Sequence, residues 1–211
     1  PRHRETGGND GRFAVGATVS RQLILVRHGQ TVDNVSGIAQ GWNDSALSEA
    51  GQSQVRHLAE RLAALNPTAL YSSPLGRALA TAEAVSATTG LPITQLPELR
   101  EMNYGGWEGR SFLDVRREDE AIYRQWIADE EQPCPNGESH ADVRRRLEHA
   151  FARINSDRPV VVTHATAIRI AATALLELPT MTARHFAQDN AALNVFVWRT
   201  DHWVLKVWNQ T

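Results

Sequence analysis

The chain has 211 residues, 42% of them hydrophobic and 22% charged, with 22 Lys+Arg against 24 Asp+Glu and a formal net charge of -2. That length fits one domain with at most an appendage, and the near-balance of charge lacks the basic excess of surfaces that bind nucleic acid or anionic membranes. A single cysteine, Cys134, excludes an intramolecular disulfide framework and a cysteine-built zinc site.

Residues 1–21 are rich in Gly, Arg and Asn without a period, and read as a tail or linker that could join a domain upstream. From Gln22 the texture changes. Gln22-Leu23-Ile24-Leu25-Val26 is a short apolar run of the kind found in buried parallel strands. Ser48 opens an amphipathic helix with Val55, Leu58, Ala59, Leu62 and Leu65 at helical spacing, ended by Asn66-Pro67. Residues 69–72 read as a second strand, 75–89 as an Ala-rich helix stopped by Gly90 and Pro92, and 93–95 as a third strand.

The Gly-containing stretch 98–110 reads as a structured loop, 111–128 as a helix and 132–137 as another loop. Cys134, between Pro133 and Pro135 with no basic neighbour, reads as an inert thiol. Ser139 caps a helix in which Val143, Leu147, Ala150, Phe151 and Ile154 share a face. Val160-Val161-Val162-Thr163 is the most strand-like run. It is followed by a helix over 167–178, apolar nearly all round and therefore expected to be buried. The longest apolar stretch, 165–178, is broken by Arg169 and Glu177 and falls short of the roughly 18 residues of a membrane span. Leu193–Arg199 and Trp203–Trp208 alternate as an antiparallel ribbon turned at Thr200-Asp201-His202. Strands alternating with helices indicate an α/β sheet covered on both faces.

In such sheets a ligand lies beyond the carboxyl ends of the strands. Arg27, His28 and Gly29 follow the first strand, Thr163 and His164 follow the fourth, and Arg77 sits in the first turn of the helix after the second. A lone histidine after a strand is usually a loop residue, and a helical arginine usually a solvated charge. Together at strand exits, Arg27, His28, Arg77 and His164 point instead to an anion pocket in which two guanidinium forks meet one tetrahedral oxyanion.

The blocks Leu25-Val26-Arg27-His28-Gly29-Gln30-Thr31 with Asn34, Gly41-Trp42-Asn43-Asp44 with Leu47-Ser48 and Gly51, and Ser72-Ser73-Pro74-Leu75-Gly76-Arg77-Ala78 occur in this order. Leu99-Arg100-Glu101-Met102-Asn103-Tyr104-Gly105-Gly106-Trp107-Glu108-Gly109, then Gly137-Glu138-Ser139 and Thr163-His164, complete the set. The chain from Gln22 onward thereby resembles the histidine phosphatase superfamily, in its phosphoglycerate-mutase-like branch. The expected fold is a three-layer α/β/α sandwich over residues 22–211, with a mostly parallel central sheet and one antiparallel edge strand. The resemblance implies that His28 carries a phosphoryl group on a ring nitrogen. Arg27, Arg77 and His164 stabilise that group, and Glu101 is the general acid and then base. Arg27 and Arg77 disfavour a protonated His28, while like-charge repulsion from a bound phosphate dianion favours the protonated form of Glu101. Gly29 is the expected acceptor for the other ring nitrogen. Gly29, Thr31, Asn34, Gln40, Gly41, Tyr104 and the Ala165 N–H match positions that line the pocket in relatives, with Trp42, Trp107 and Tyr104 as walls of its entrance.

Two departures stand out. Gln30 replaces a frequent glutamate, removing a negative charge near the pocket, and Ala165-Thr166 replace two glycines after His164. His57, His140 and His149 read as polar-face residues of helices, His3 and His202 as tail and turn residues, and His185 is undecided. No histidine pair has a metal-ligand arrangement, so no metal and no cofactor are expected. The expected partner is a small-molecule phosphomonoester, with no nucleic acid and no membrane, in a cytoplasmic setting. A homodimer and an upstream domain stay open. Three activities compete. A phosphomonoester hydrolase needs only water as acceptor, whereas a phosphoglycerate mutase needs a closing lid and extra cations. Between Met102 and Leu113 only Arg110 is basic, with Arg116 and Arg117 beyond, which favours the hydrolase. An inactive phosphate-binding module is the third reading.

Overall fold

The computed structural model describes residues 21–211, so the tail expected over 1–20 lies outside the described residues. Arg21, read as the end of that tail, already belongs to the fold: its carbonyl accepts from Trp198 N (2.8 Å) and its guanidinium donates to the Ile154 carbonyl (2.6 Å). Six strands form one sheet: β1 (Gln22–Arg27), β2 (Ala69–Ser72), β3 (Ile93–Gln95), β4 (Pro159–Thr163), β5 (Leu193–Arg199) and β6 (His202–Gln210). Their order is β3-β2-β4-β1-β5-β6. The first four run parallel, β5 pairs antiparallel with β1, and β6 antiparallel with β5. The expected mostly parallel sheet with an antiparallel edge is thus present, the edge being the β5–β6 ribbon.

Side-chain alternation along the strands divides the core in two. Ile24, Val26, Leu70, Val160 and Val162 pack on one face against Leu58 and Leu62 of α2 (Glu49–Ala64) and Ala78, Ala82 and Val85 of α3 (Gly76–Thr89). Leu23, Leu25, Val161 and Phe196 point the other way, against Val143, Leu147 and Ala150 of α6 (His140–Arg153) and Ile168, Ala171 and Ala172 of α7 (Ala165–Leu175). β1 and β4 are covered on both faces, which is why they read as continuous apolar runs.

Local signals set most helix ends. Ser48 Oγ accepts from Gly51 N (3.0 Å) at the start of α2, Ser139 forms a capping box with Asp142 at the start of α6, and Gly90 ends α3 in the left-handed region at φ 74°. Three readings need correction. The single helix expected over 111–128 is two, α4 (Phe112–Glu118) and α5 (Glu120–Trp126). The chain bends at Asp119, whose carboxylate accepts from Trp107 Nε1 (2.8 Å) and Arg110 (2.6 Å). α7 begins two residues earlier than expected and ends at Leu175, with Glu177 left-handed at φ 55°. A short helix, α1 (Val32–Ser36), was not foreseen; Thr31 and Asn34 cap it reciprocally.

Candidate active site

Strand register builds the site. β4 lies between β1 and β2, with Arg27 opposite Thr163 and Ser72 opposite Val162. His28, Ser73 and His164, the next residues on each strand, therefore emerge side by side at the carboxyl edge. The His28 and His164 rings are 5.1 Å apart between centroids, and both side chains are buried.

His28 is held at both ends. Its backbone N–H donates to the Thr163 carbonyl (3.0 Å), and ring Nδ1 lies 2.7 Å from the Gly29 carbonyl. A carbonyl can only accept, so Nδ1 carries the hydrogen and Nε2 keeps its lone pair. Burial, then the charges of Arg27 and Arg77, push this imidazole well below its ordinary pKa, with the Gly29 bond opposing in part. It is neutral and nucleophilic at neutral pH. Gly29 is required by packing: a Cβ there would lie 2.5 Å from Val55 Cγ2 and 2.9 Å from the Gly51 carbonyl oxygen. The His164 imidazole is also depressed, by burial first and then by Arg77, His28, Arg146 and Arg27. Its Nε2 is 2.8 Å from Ser73 Oγ, and Nδ1 has no partner among the described residues.

Arg77 is almost fully buried. It donates to the carbonyls of Gly41 (2.7 Å) and Asn43 (2.8 Å) and pairs with Asp44 (3.2 Å). Asp44 also accepts from the N–H groups of Gly76 and Arg77, tying residues 41–44 to the first turn of α3. Gly41 is left-handed at φ 55°, and a Cβ on it would strike Glu108 Oε1 at 2.1 Å. Burial lowers Arg27 to about 10, with the Glu101 charge opposing, so it stays cationic at neutral pH. The Nε atoms of Arg27 and Arg77 are buried without partners among the described residues.

Glu101 reaches the same edge from the loop after β3. Oε1 accepts from Met102 N (2.9 Å) and Ala167 N (3.1 Å), and Oε2 from Thr166 N (3.1 Å). It caps α7 from a distant part of the chain, because His164 at the N-cap makes no side-chain cap bond. Arg146 of α6, absent from the sequence reading, fixes this loop. It donates to the carbonyls of Glu98 (2.7 Å), Arg100 (2.6 Å) and Glu101 (2.8 Å) and grips Glu138 with two bonds (2.8 and 3.0 Å). Glu138 in turn accepts from Asn103 N (2.8 Å). A signal existed: Arg146 falls three residues after Val143 and four before Ala150, on the apolar face.

The remaining expected residues brace this arrangement. Thr31 Oγ1 accepts from Gln40 Nε2 (2.8 Å), and Asn34 Oδ1 accepts from Asn190 Nδ2 (2.9 Å), which also reaches the His28 carbonyl (3.3 Å). Ala165 is the first residue of α7, and Thr166 Oγ1 lies 2.7 Å from the Tyr104 hydroxyl. Trp42 stands at the surface, donates from Nε1 to the Glu101 carbonyl (2.9 Å), and carries Arg100 over its ring at 4.9 Å. Trp107 does not wall an entrance: it is fully buried and donates to Asp119. Gln30 turns toward α2, where its Oε1 accepts from Ser48 Oγ (2.8 Å). His140 is not on a polar face but buried against Trp126, with ring centroids 4.7 Å apart. Burial pushes the Cys134 thiol up to about 12, which makes it unreactive.

The family model of the histidine phosphatase superfamily (branch 1) matches residues 23–211. A protein of Erwinia tasmaniensis named probable phosphoglycerate mutase GpmB is 32% identical over 197 residues, covering 89% of each chain. Among solved structures, a mycobacterial glucosyl-3-phosphoglycerate phosphatase complexed with VO3 is similar at TM-score 0.81 and 32% identity, covering 90% of this chain and 100% of that one. The α-ribazole phosphatase of Shigella flexneri is similar at TM-score 0.80 and 29% identity, covering 90% and 96%. With its model matched from the first strand to the last residue, this chain belongs to the histidine phosphatase superfamily.

Proposed function

We propose that the chain is a phosphomonoester hydrolase that frees phosphate from a small phosphorylated metabolite through a phosphohistidine on His28. The observation that carries this reading is the His28 ring, neutral and with Nε2 unprotonated, set beside His164 and under the charges of Arg27 and Arg77. In the first step Nε2 attacks phosphorus, the bond to the alcohol oxygen breaks, and that oxygen takes the proton of Glu101. The guanidinium groups of Arg27 and Arg77 stabilise the equatorial oxygens as charge builds on them. In the second step water attacks phosphorus and gives its proton to the Glu101 carboxylate. The P–N bond breaks, and His28 recovers its lone pair. No cofactor enters either step.

The structural neighbours named as phosphatases support hydrolysis, whereas the sequence relatives named as phosphoglycerate mutases favour isomerisation. A mutase must grip a second anionic group and exclude water while its substrate turns. Two of the three arginines Arg110, Arg116 and Arg117 are engaged elsewhere: Arg110 pairs with Asp119 (2.6 Å) and Glu118 (3.1 Å), and Arg117 with Asp114 (2.8 Å) and Glu118 (2.7 Å). An inactive binding module has no need of a nucleophile, two arginines and a carboxyl on one edge. The test is a panel of phosphomonoesters assayed for inorganic phosphate, with 3-phosphoglycerate isomerisation followed in parallel. Release should dominate; isomerisation outpacing it overturns the hydrolase reading.

A further inference from the structure

A cavity of about 250 Å³ lies against the first turn of α7. Thr166, whose N–H binds Glu101 Oε2, and Tyr104, bonded to the Thr166 hydroxyl, form part of its wall. Phe112, Trp126 and His140 supply flat faces: Tyr104 meets Phe112 edge-on at 5.2 Å, Phe112 and Trp126 are stacked 15° from parallel, and Trp126 lies 4.7 Å from His140. Burial lowers His140 to about 4, so this ring is uncharged at neutral pH.

The wall also contains a cation. Arg169 stands one helical turn after Ala165 on α7 and lines the cavity together with Thr166 and Tyr104. Among the described residues no ion pair engages its guanidinium, and its Nε is buried without a partner. Trp126 Nε1 and His140 Nδ1 are likewise buried and unpartnered.

The leaving oxygen must face Glu101 to be protonated, and Thr166, bonded to Glu101, is part of the cavity wall, so the cavity can receive the body of the alcohol. A dry cavity of ~150 Å³ holds benzene; the present one has room for a ring and a substituent. We propose that this pocket selects the alcohol half of the substrate, a flat, ring-sized apolar body carrying a carboxylate that Arg169 binds. The proposal rests on the hydrolase reading above and adds its substrate class.

Four esters test it: 2-phenylethyl phosphate, its para-carboxyl derivative, glycerol 3-phosphate and 3-phosphoglycerate. All have alkyl leaving groups, so their kcat/KM values compare how the alcohol is held. The para-carboxyl ester should be the best substrate. Arg169→Met should cut its advantage over the uncharged ring ester by about tenfold, with Arg169→Lys keeping part of it. Trp126→Leu should reduce the preference of both ring esters over glycerol 3-phosphate. Melting curves establish that each variant is folded. A wild-type preference for the two compact esters, or an Arg169→Met loss equal on all four, overturns the pocket assignment while hydrolysis itself stands. Absence of phosphate release from all four and from p-nitrophenyl phosphate sinks the hydrolase reading instead.

Discussion

Arg27, His28, Ser73 and His164 stand at the ends of three adjacent hydrogen-bonded strands, whereas the Tyr104–Phe112–Trp126–His140 wall is gathered from a loop and the ends of three helices. The first region is cationic, and its spacing is set by backbone register. The second is aromatic, and its spacing is set by how side chains stack. Register tolerates almost no change without breaking the sheet, while loops and helix ends can be repacked one residue at a time. The two regions therefore sit on supports of different stiffness, and Glu101 lies between them, bound to the start of α7 through its carboxylate and to Arg146 of α6 through its carbonyl.

His28→Ala separates the two regions most sharply. Phosphate release should fall by at least about a thousandfold on every ester, with the fold retained by circular dichroism. Wild-type turnover in that variant would refute the nucleophile assignment. Glu101→Gln should act selectively: esters with poor leaving groups should lose about 10²–10⁴ in kcat, and p-nitrophenyl phosphate much less. Equal losses on both would show that Glu101 supplies no proton to the leaving oxygen.

Acid stability gives the smallest effect and probes both regions together. His28, His164 and His140 have depressed pKa values in the folded chain, so below about pH 6.5 the unfolded state binds more protons than the folded state. Stability should be full above that pH and fall as pH drops toward 5, by up to about 1.4 kcal/mol per pH unit for each histidine. Urea unfolding across that range checks the sign. His140→Phe should flatten the slope by one histidine's share, and inorganic phosphate should flatten it further by favouring protonated His28 and His164. A slope unchanged in His140→Phe would mean that the buried ring in the aromatic wall does not titrate with folding.

Much of this architecture is legible along the chain because it is local. The runs of β1 and β4 are continuous because both faces of each strand are covered, Ser48 and Ser139 announce helices through their own hydroxyls, Arg27 ends a strand, His28 and His164 directly follow strands, and Arg77 lies in the first turn of the helix after β2. What was misjudged depends on partners far away. His140 sits on a helix of alternating charge and looks solvated until Trp126 is packed against it. Trp107 lies within a site motif yet is buried, and Asp119 breaks a helix because Trp107 and Arg110 claim its carboxylate. Arg146 belongs to an arginine run that looks like surface charge, but it holds carbonyls some 45 to 48 residues away.

Periodicity and strand-exit residues suffice to specify the α/β layers and the cationic edge, since both follow from where each side chain points relative to its own backbone. The aromatic pocket, the Arg146 clasp and the anchoring of Glu101 on α7 arise only when the chain closes on itself. Burial and hydrogen-bond pairing are properties of neighbours in space, and one-dimensional order does not contain them.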